Sequence, residues 1–282
     1  MSSVGDAALG VPSVKHMNGG ETMNFLEKFY SAFDEDGRLL SRHGQVEYLT
    51  TMKYIHDFLG GAKQAHILEV GAGTGRYSIA LAREGHNVTA VELVESNLDK
   101  LIAKLDGTEQ ITAIHGNALD LSMFTDNSFH MTLVLGPMYH LFTREDMLKA
   151  LSEAVRVTKK GGHILVAYCM NEAAVIQHAF LHGNLQKVLD NHMLTDDWHC
   201  KSEPKELFEL VRTEDITSLD TELPVERIKL IAADGAANYI SECIDSMDDF
   251  TFENFMEYHF ATCERQDLIG ASNHTLDILR KI

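Results

Sequence analysis

Three short segments carry residue types able to hold a nucleoside-like ligand. In LEVGAGTGRYS, residues 68–78, Gly71, Gly73 and Gly75 follow an apolar run and precede a helical one. Glycines at such a junction remove β-carbons where the backbone turns sharply and must approach a ligand closely. The helix that follows aims N–H groups and the positive end of its dipole at whatever anion sits above the turn. The next strand-like run, NVTAVE, ends in Glu92, 21 residues after Gly71. A carboxylate at that strand end accepts hydrogen bonds from both hydroxyls of a ribose. After ITAIHG come Asn117 and Ala118: the amide pairs with the edge of an adenine, and the small alanine leaves room for the ring.

Other ligand chemistries fit less well. Counted from Gly71, the last place of a GxGxxG dinucleotide fingerprint is Arg76, and no GxxxxGK[ST] phosphate loop occurs. Nicotinamide, flavin and nucleoside triphosphate readings therefore lose ground. The 24 basic and 42 acidic side chains give a net charge of −18, which repels polyphosphate and argues against a nucleic-acid partner. The four cysteines, Cys169, Cys200, Cys243 and Cys263, form no CxxC pair, so reduced thiols are expected in place of disulfides or a zinc site. In YHFATCER, His259 and Cys263 share one helical face, but a metal needs more ligands than this pair, and no metal is expected.

Taken as a set, residues 64–170 resemble the class I S-adenosylmethionine-dependent methyltransferases. LEVGAGTG is similar to their E/DxGxGxG turn, Glu92 to their ribose acid, GNAL to their adenine segment and LVLGPMYHL to their fourth-strand segment. The resemblance implies that Glu69 orders the amino group of the methionine moiety and that the Gly71–Gly75 backbone lies against that moiety. It further implies that Leu93 packs on the adenine and that Leu135 and Gly136 line the sulfonium side. Two departures are His130, where many relatives carry aspartate, which should alter a local polar contact and not cofactor binding, and Asn117, in a place often held by aspartate, which keeps the acceptor and loses the charge. RLLSRHGQVEYLTTMKYI, GPMYHL and YHFATCER look like a bacterial subgroup of the small-molecule type.

Methyl transfer from a sulfonium is an in-line displacement, so the protein has mainly to align a nucleophile and exclude water. GPMYHL follows the fourth strand, which puts Tyr139 and His140 at the edge where the methyl group belongs; a histidine suits a base at neutral pH. From the amino-terminal helices, Tyr30, Arg42, His43 and Glu47 are candidate acceptor contacts.

The elements that must position these residues follow from periodicity. HILEVG, NVTAVE, ITAIHG, HMTLVLG and HILVAYC alternate with helix-like stretches, which predicts an α/β fold: a Rossmann-like, seven-stranded methyltransferase sheet with helices on both faces and a small helical cap. Gly161-Gly162 is expected to end the helix before HILVAYC. The expected organisation is a disordered leader (1–20), an amino-terminal helical lid (21–63), a cofactor-binding core (64–171), a cap insert (172–225) and a carboxyl-terminal completion of the sheet (226–282). Within these, helices are expected near 172–190, 204–212, 235–247 and 251–264, and strands at ERIKLIAA and TLDILRK.

The sequence thus predicts a methyltransferase that takes its methyl group from S-adenosylmethionine and delivers it to an oxygen, nitrogen or sulfur atom of a small molecule. Alternatives are methylation of RNA or protein, disfavoured by charge and by GPMY standing where (N/D)PP(Y/F) would be, and a silent cofactor-binding subunit. No apolar run approaches the ~20 residues that span a bilayer, and no secretory signal is evident, so a cytoplasmic location is expected.

Overall fold

The computed structural model describes residues 25–30, 37 and 40–282. The expected leader and much of the first amino-terminal helix lie outside the described residues; residues 25–30 are helical. The strands are β1 (His66–Val70), β2 (Asn87–Glu92), β3 (Ile111–His115), β4 (Phe129–Val134), β5 (Thr158–Met170), β6 (Leu210–Val211), β7 (Val225–Ala232) and β8 (His274–Lys281). They form one sheet of order β3-β2-β1-β4-β5-β8-β7, with the short β6 pairing with β5. The first five strands are parallel, while β8 enters antiparallel between β5 and β7. Its register sets His274 opposite Cys169 and Leu279 opposite Ile164. The Rossmann-like α/β expectation is met.

Two layers of helices cover the sheet, because a strand sends alternate side chains to opposite faces. On one face Ile67, Leu133, Leu165, Ala167, Leu276 and Ile278 pack under α1 (Arg42–Leu59) and α2 (Arg76–Arg83), with Met52, Tyr54, Ile55 and Leu81 as the helical half of that core. α3 (Glu95–Ala103) lies beside α2, its Leu101 packed on Ala72 and Ala90. On the other face Ile164, Val166, Tyr168 and Leu279 meet α4 (Arg144–Val157).

α1 begins at Arg42 because Ser41 caps it by accepting the Gly44 N–H at 3.1 Å. It ends at Gly60, whose φ of 59° is the left-handed conformation of a helix terminus.

Gly161-Gly162 does not cap α4. Thr158 is already extended after Val157, and its hydroxyl donates to the Ala154 carbonyl at 2.7 Å, so the helix end is satisfied without glycine. The glycine pair instead bends β5 past β4, where the register shifts; a β-carbon on Gly162 would stand 2.6 Å from the His130 carbonyl oxygen.

The segment after β5 also departs from expectation. α5 (Asn171–Ala174) continues as a π-helix, Val175–Leu181, and is followed by α6 (Leu185–Asp190). The helix expected at 204–212 is a single 3-10 turn, Pro204–Glu206, followed by β6, because an apolar run as short as LFELV reads equally as strand or helix and β5 offers a free edge. α7 (Thr213–Asp220) then packs with α4 on the sheet, burying Ile216 and Leu219. The latter part of the expected insert thus belongs to the layered core. Beyond β7 come α8 (Ser241–Asp245), α9 (Asp249–Thr262) and α10 (Gln266–Ile269).

Candidate functional site

The three glycines of the turn after β1 serve three purposes. Gly71 (φ 76°) has no room for a side chain, since a β-carbon would lie 2.6 Å from Cδ of Pro137. Gly75 (φ 86°) is equally closed, by Leu101 at 2.6 Å from α3. Gly73 (φ 55°) faces open space, with nothing within 4 Å of a β-carbon. The turn is therefore packed on both sides and open in the middle, a cradle for a ligand that needs bare backbone.

Glu92 ends β2 beside that opening and is 5% exposed. Its carboxylate accepts from the Gly73 N–H at 2.7 Å and from the Val94 N–H at 2.8 Å. Burial pushes its pKa up, while these backbone donors pull it down. The acid thus ties the turn to the start of α3 and retains further lone pairs for hydroxyl donors.

Glu69, one residue before the end of β1, is fully buried and accepts from the Ser78 hydroxyl of α2. Burial raises its pKa to about 8, against the Ser78 hydrogen bonds and with the help of the Glu92 charge. A carboxyl group so placed favours its protonated form at neutral pH.

Leu93 is covered by the helical residues 25–30, packing with Phe25, Leu26, Phe29 and Tyr30 and with Leu207 and Phe208 from the segment before β6. Asn117 is exposed, and its side-chain oxygen accepts from the Leu119 N–H at 2.9 Å. That turn bond leaves the amide nitrogen without a hydrogen bond among the described residues. Ala118 is buried against Val91 and Leu121, and His115 donates from Nε2 to the Leu93 carbonyl at 2.9 Å, drawing β2 and β3 together at this edge.

Leu135 and Gly136 lead from β4 into a 3-10 turn, Pro137–His140, which carries Tyr139 and His140. Gly136 also lies close to the first glycine turn, with the Gly71 carbonyl 3.3 Å from where its β-carbon would be. His140 Nδ1 donates to the Leu207 carbonyl at 2.6 Å, and its Nε2 accepts from the Tyr30 hydroxyl at 2.9 Å. Burial lowers its pKa to about 4. His140 is thus a neutral imidazole of fixed tautomer whose lone pair is engaged by Tyr30.

The candidate acceptor residues divide. Tyr30 joins His140 as described. Arg42 and His43, in the first turn of α1, are not gathered there: Arg42 pairs with Asp249 at 2.5 Å and His43 with Asp245 at 2.8 Å, anchoring α1 to α8 and α9. Glu47, one turn on, is buried and reaches His274 at 3.5 Å.

That contact belongs to a cluster the sequence reading overlooked. His274 Nδ1 lies 2.7 Å from Asp234 Oδ2, and Asp234 is held in turn by Ser272 at 2.7 Å, by the His274 N–H at 2.9 Å and by Asn238 at 2.7 Å. Glu47, Asp234 and His274 bring ligand-type atoms within 4.8 Å of one another. The ring of His274 stands 5.7 Å from that of Tyr139. A usable signal existed: Asp234-Gly235 directly follows an apolar strand run, an acid at a strand exit much as Glu92 is. Ser78, whose hydroxyl serves Glu69, had no comparable signal.

His130 and Cys263 lie elsewhere, while His259 is buried beside Gly235, next to the Asp234 cluster. His130 accepts the His66 N–H at 2.9 Å near the opposite strand ends, and Cys263 is buried against Tyr54 at 3.3 Å. Among the described residues no helix is long and apolar enough to cross a membrane.

The chain is similar in sequence and in fold to known proteins. Residues 67–162 match the methyltransferase-domain family. The chain is 30% identical over 148 residues to a demethylmenaquinone methyltransferase of Clavibacter sepedonicus, a match covering 52% of this chain and 57% of that protein; the chain thus spans little more than half the length of this curated relative. Among solved structures it is similar to the N-methyltransferase NodS of Bradyrhizobium japonicum bound to S-adenosylhomocysteine (TM-score 0.57, 15% identity, 92% of this chain and 98% of that one). It is likewise similar to a possible histamine N-methyltransferase of Thermotoga maritima (TM-score 0.55, 18% identity, 93% and 100%). The fold is that of the S-adenosylmethionine-dependent methyltransferases.

Proposed function

We propose that this chain, whose residues 67–162 form a methyltransferase domain, transfers the methyl group of S-adenosylmethionine to a small-molecule acceptor. The observation that carries this reading is the convergence at one sheet edge of the open Gly73 turn, the Glu92 carboxylate and the Pro137–His140 turn seated against Gly71. When bound, S-adenosylmethionine supplies an activated methyl group on a sulfonium.

The residues divide the work of holding it. Glu92 takes the ribose hydroxyls, Leu93 and Ala118 border the adenine, and Asn117 offers its amide to the base edge. Glu69 orders the amino group, with Gly71, Gly73 and Gly75 supplying backbone beside it. Leu135 and Gly136 line the sulfonium side, and Tyr139 faces the acceptor. His140 fixes Tyr30 over the crevice, so that residues 25–30 close its upper side and exclude water. The small-molecule assignment is supported by the net charge of −18, which disfavours nucleic acid, and by similar proteins named for small acceptors. Residues 171–206, with the amino-terminal helices, form the walls that select the acceptor.

Calorimetric titration with S-adenosylmethionine, followed by mass analysis of a metabolite extract for a gain of one methyl group, tests the proposal. Binding with a methylated product is the expected result. Failure to bind would overturn it, and binding without any product would leave a cofactor-binding subunit.

A further inference from the structure

The cluster of Glu47, Asp234 and His274 is not used by the reading above. It sits where β8 begins, next to the carboxyl end of β5, and so on the same sheet edge as the glycine turn. All three side chains are buried, and all of the contacts of the imidazole with carboxylates are on one nitrogen: Nδ1 lies 2.7 Å from Asp234 and 3.5 Å from Glu47. The Asn273 amide also stands 3.2 Å from Nδ1, but the Asp234 carboxylate is nearer at 2.7 Å and can only accept, so Nδ1 carries a proton and the neutral ring bears its lone pair on Nε2. Nε2 has no hydrogen bond among the described residues, and Tyr139 is the aromatic neighbour of the ring.

This is the reverse of the state of His140, whose Nε2 lone pair is occupied by Tyr30. Of the two histidines beside Tyr139, only His274 is oriented by a carboxylate and keeps a vacant nitrogen, the arrangement by which an acid fixes tautomer and stabilises the imidazolium that forms.

Resting on the methyl-transfer reading, we infer that the Asp234–His274 pair, backed by Glu47, is the proton acceptor for the methyl acceptor. As the acceptor's heteroatom bonds to the methyl carbon, the sulfur–carbon bond breaks with its electron pair passing to sulfur. The heteroatom's proton moves to His274 Nε2, leaving a neutral methylated product, S-adenosylhomocysteine and an imidazolium held between two carboxylates.

The groups facing the ring are Glu47 from α1, Cys169 from β5, Asp234 after β7 and Tyr139 from the 3-10 turn, with His259 of α9 in turn feeling the Asp234 charge. Burial opposes the charged ring, but Glu47, Cys169 and Asp234 together outweigh it and raise its pKa well above the ordinary imidazole value. The base form therefore appears on the alkaline side, and turnover rises with pH through that raised value.

The test uses the full chain with 15N-labelled histidine. Long-range 1H–15N correlation should find neutral His274 protonated on Nδ1, with a titration above that of free imidazole that moves down in Glu47→Gln. In parallel, turnover of S-adenosylmethionine with the small-molecule fraction of a bacterial extract should fall about 100- to 10,000-fold in His274→Gln, the usual span for a lost general base. Calorimetric affinity for S-adenosylmethionine should remain, and the alkaline-side limb should disappear. A neutral ring protonated on Nε2, or a His274→Gln chain that turns over within a few-fold of the original, overturns the inference. So does tight binding of Zn2+ alone that Glu47→Gln abolishes, since a metal on Nδ1 leaves no proton there. The tautomer measurement decides without any acceptor, and loss of S-adenosylmethionine binding by the unaltered chain would instead overturn the methyl-transfer reading.

Discussion

Tyr30 donates its hydroxyl proton to Nε2 of His140 across 2.9 Å, although 110 positions separate the two residues. The direction of that bond follows from the other side of the ring, where Nδ1 donates to the Leu207 carbonyl at 2.6 Å. Their rings also meet edge to face at 5.7 Å, with Phe208 packed on His140 at 5.5 Å. The contact fixes residues 25–30 over the turn that leaves β4, and it spends the histidine's lone pair in doing so.

The first prediction concerns pH. With His140 held at about 4 by burial, the ring is neutral throughout the ordinary assay range. His140→Ala should lower turnover by loosening Tyr30 and still retain any rate limb near or above neutral pH. A folded-state value below the unfolded one also makes His140 a source of acid lability: stability is lost as pH falls from about 6.5 towards 4. Thermal unfolding between pH 7 and pH 4 should be less pH-dependent in His140→Asn, and a neutral-range limb that vanished in His140→Ala would return the proton to His140.

Glu92 carries the second. Its carboxylate already receives two backbone N–H groups, and a ribose would add two hydroxyls, so Glu92→Ala removes both the ligand contact and the tie between turn and α3. Bonds to a charged group contribute about 1.5–3 kcal/mol each. Losing both should drop affinity for S-adenosylmethionine about 100- to 10,000-fold in a chain with unchanged circular dichroism, as read by calorimetry; an unaltered affinity would remove Glu92 from the ribose site.

A third follows from Glu69, raised by burial from its ordinary 4.5 to about 8. A carboxyl group whose folded pKa is raised contributes most below the unfolded value and loses that contribution as pH climbs through the folded one. Glu69→Gln should therefore raise the melting temperature more at pH 9 than at pH 5. If Glu69 receives the cationic amino group, binding at pH 7 expels its proton. Calorimetric enthalpies in buffers of different ionisation heat should then diverge for the unaltered chain and coincide for Glu69→Gln.

The turn glycines supply the fourth. Gly75→Ala meets Leu101 at 2.6 Å as well as an unfavourable φ, and should destabilise the chain by about 2–4 kcal/mol in chemical denaturation. Gly73→Ala has only the φ to contend with, about 1–2 kcal/mol, but its methyl group would occupy the open cradle. Its main effect should be on S-adenosylmethionine affinity, and equal stability losses at the two positions would contradict this division.

The alternation of apolar strands and amphipathic helices from His66 to Met170 was legible because each element buries one face in a period of its own. The glycine turn and Glu92 were legible because both are local, one turn apart on adjacent strands. Gly161-Gly162 misled because glycine serves a helix end and a strand bend equally, and the choice fell to Thr158, whose hydroxyl had already satisfied Ala154. LFELV misled because its strand state depends on the free edge of β5. Tyr30 with His140, and Glu47 with His274, are meetings of residues far apart along the chain that no local pattern encodes. Arg42 and His43 had the right chemistry, but their acidic partners on α8 and α9 drew them to another face of α1.

Because β8 runs against its neighbours, it is the first residue of this strand, His274, that stands at the edge where the parallel strands end. Which face of the sheet that ring occupies is decided by alignment alone, since sliding the strand by one residue would send every side chain to the opposite layer. Three residues further on, Asp277 is locked to Arg227 of β7 at 2.8 Å, buried among the helices of the other face. That ion pair acts as an alignment pin for the imidazole: substitutions at Arg227 can misdirect a ring they never touch, so loss of activity there reports on sheet alignment and not on chemistry.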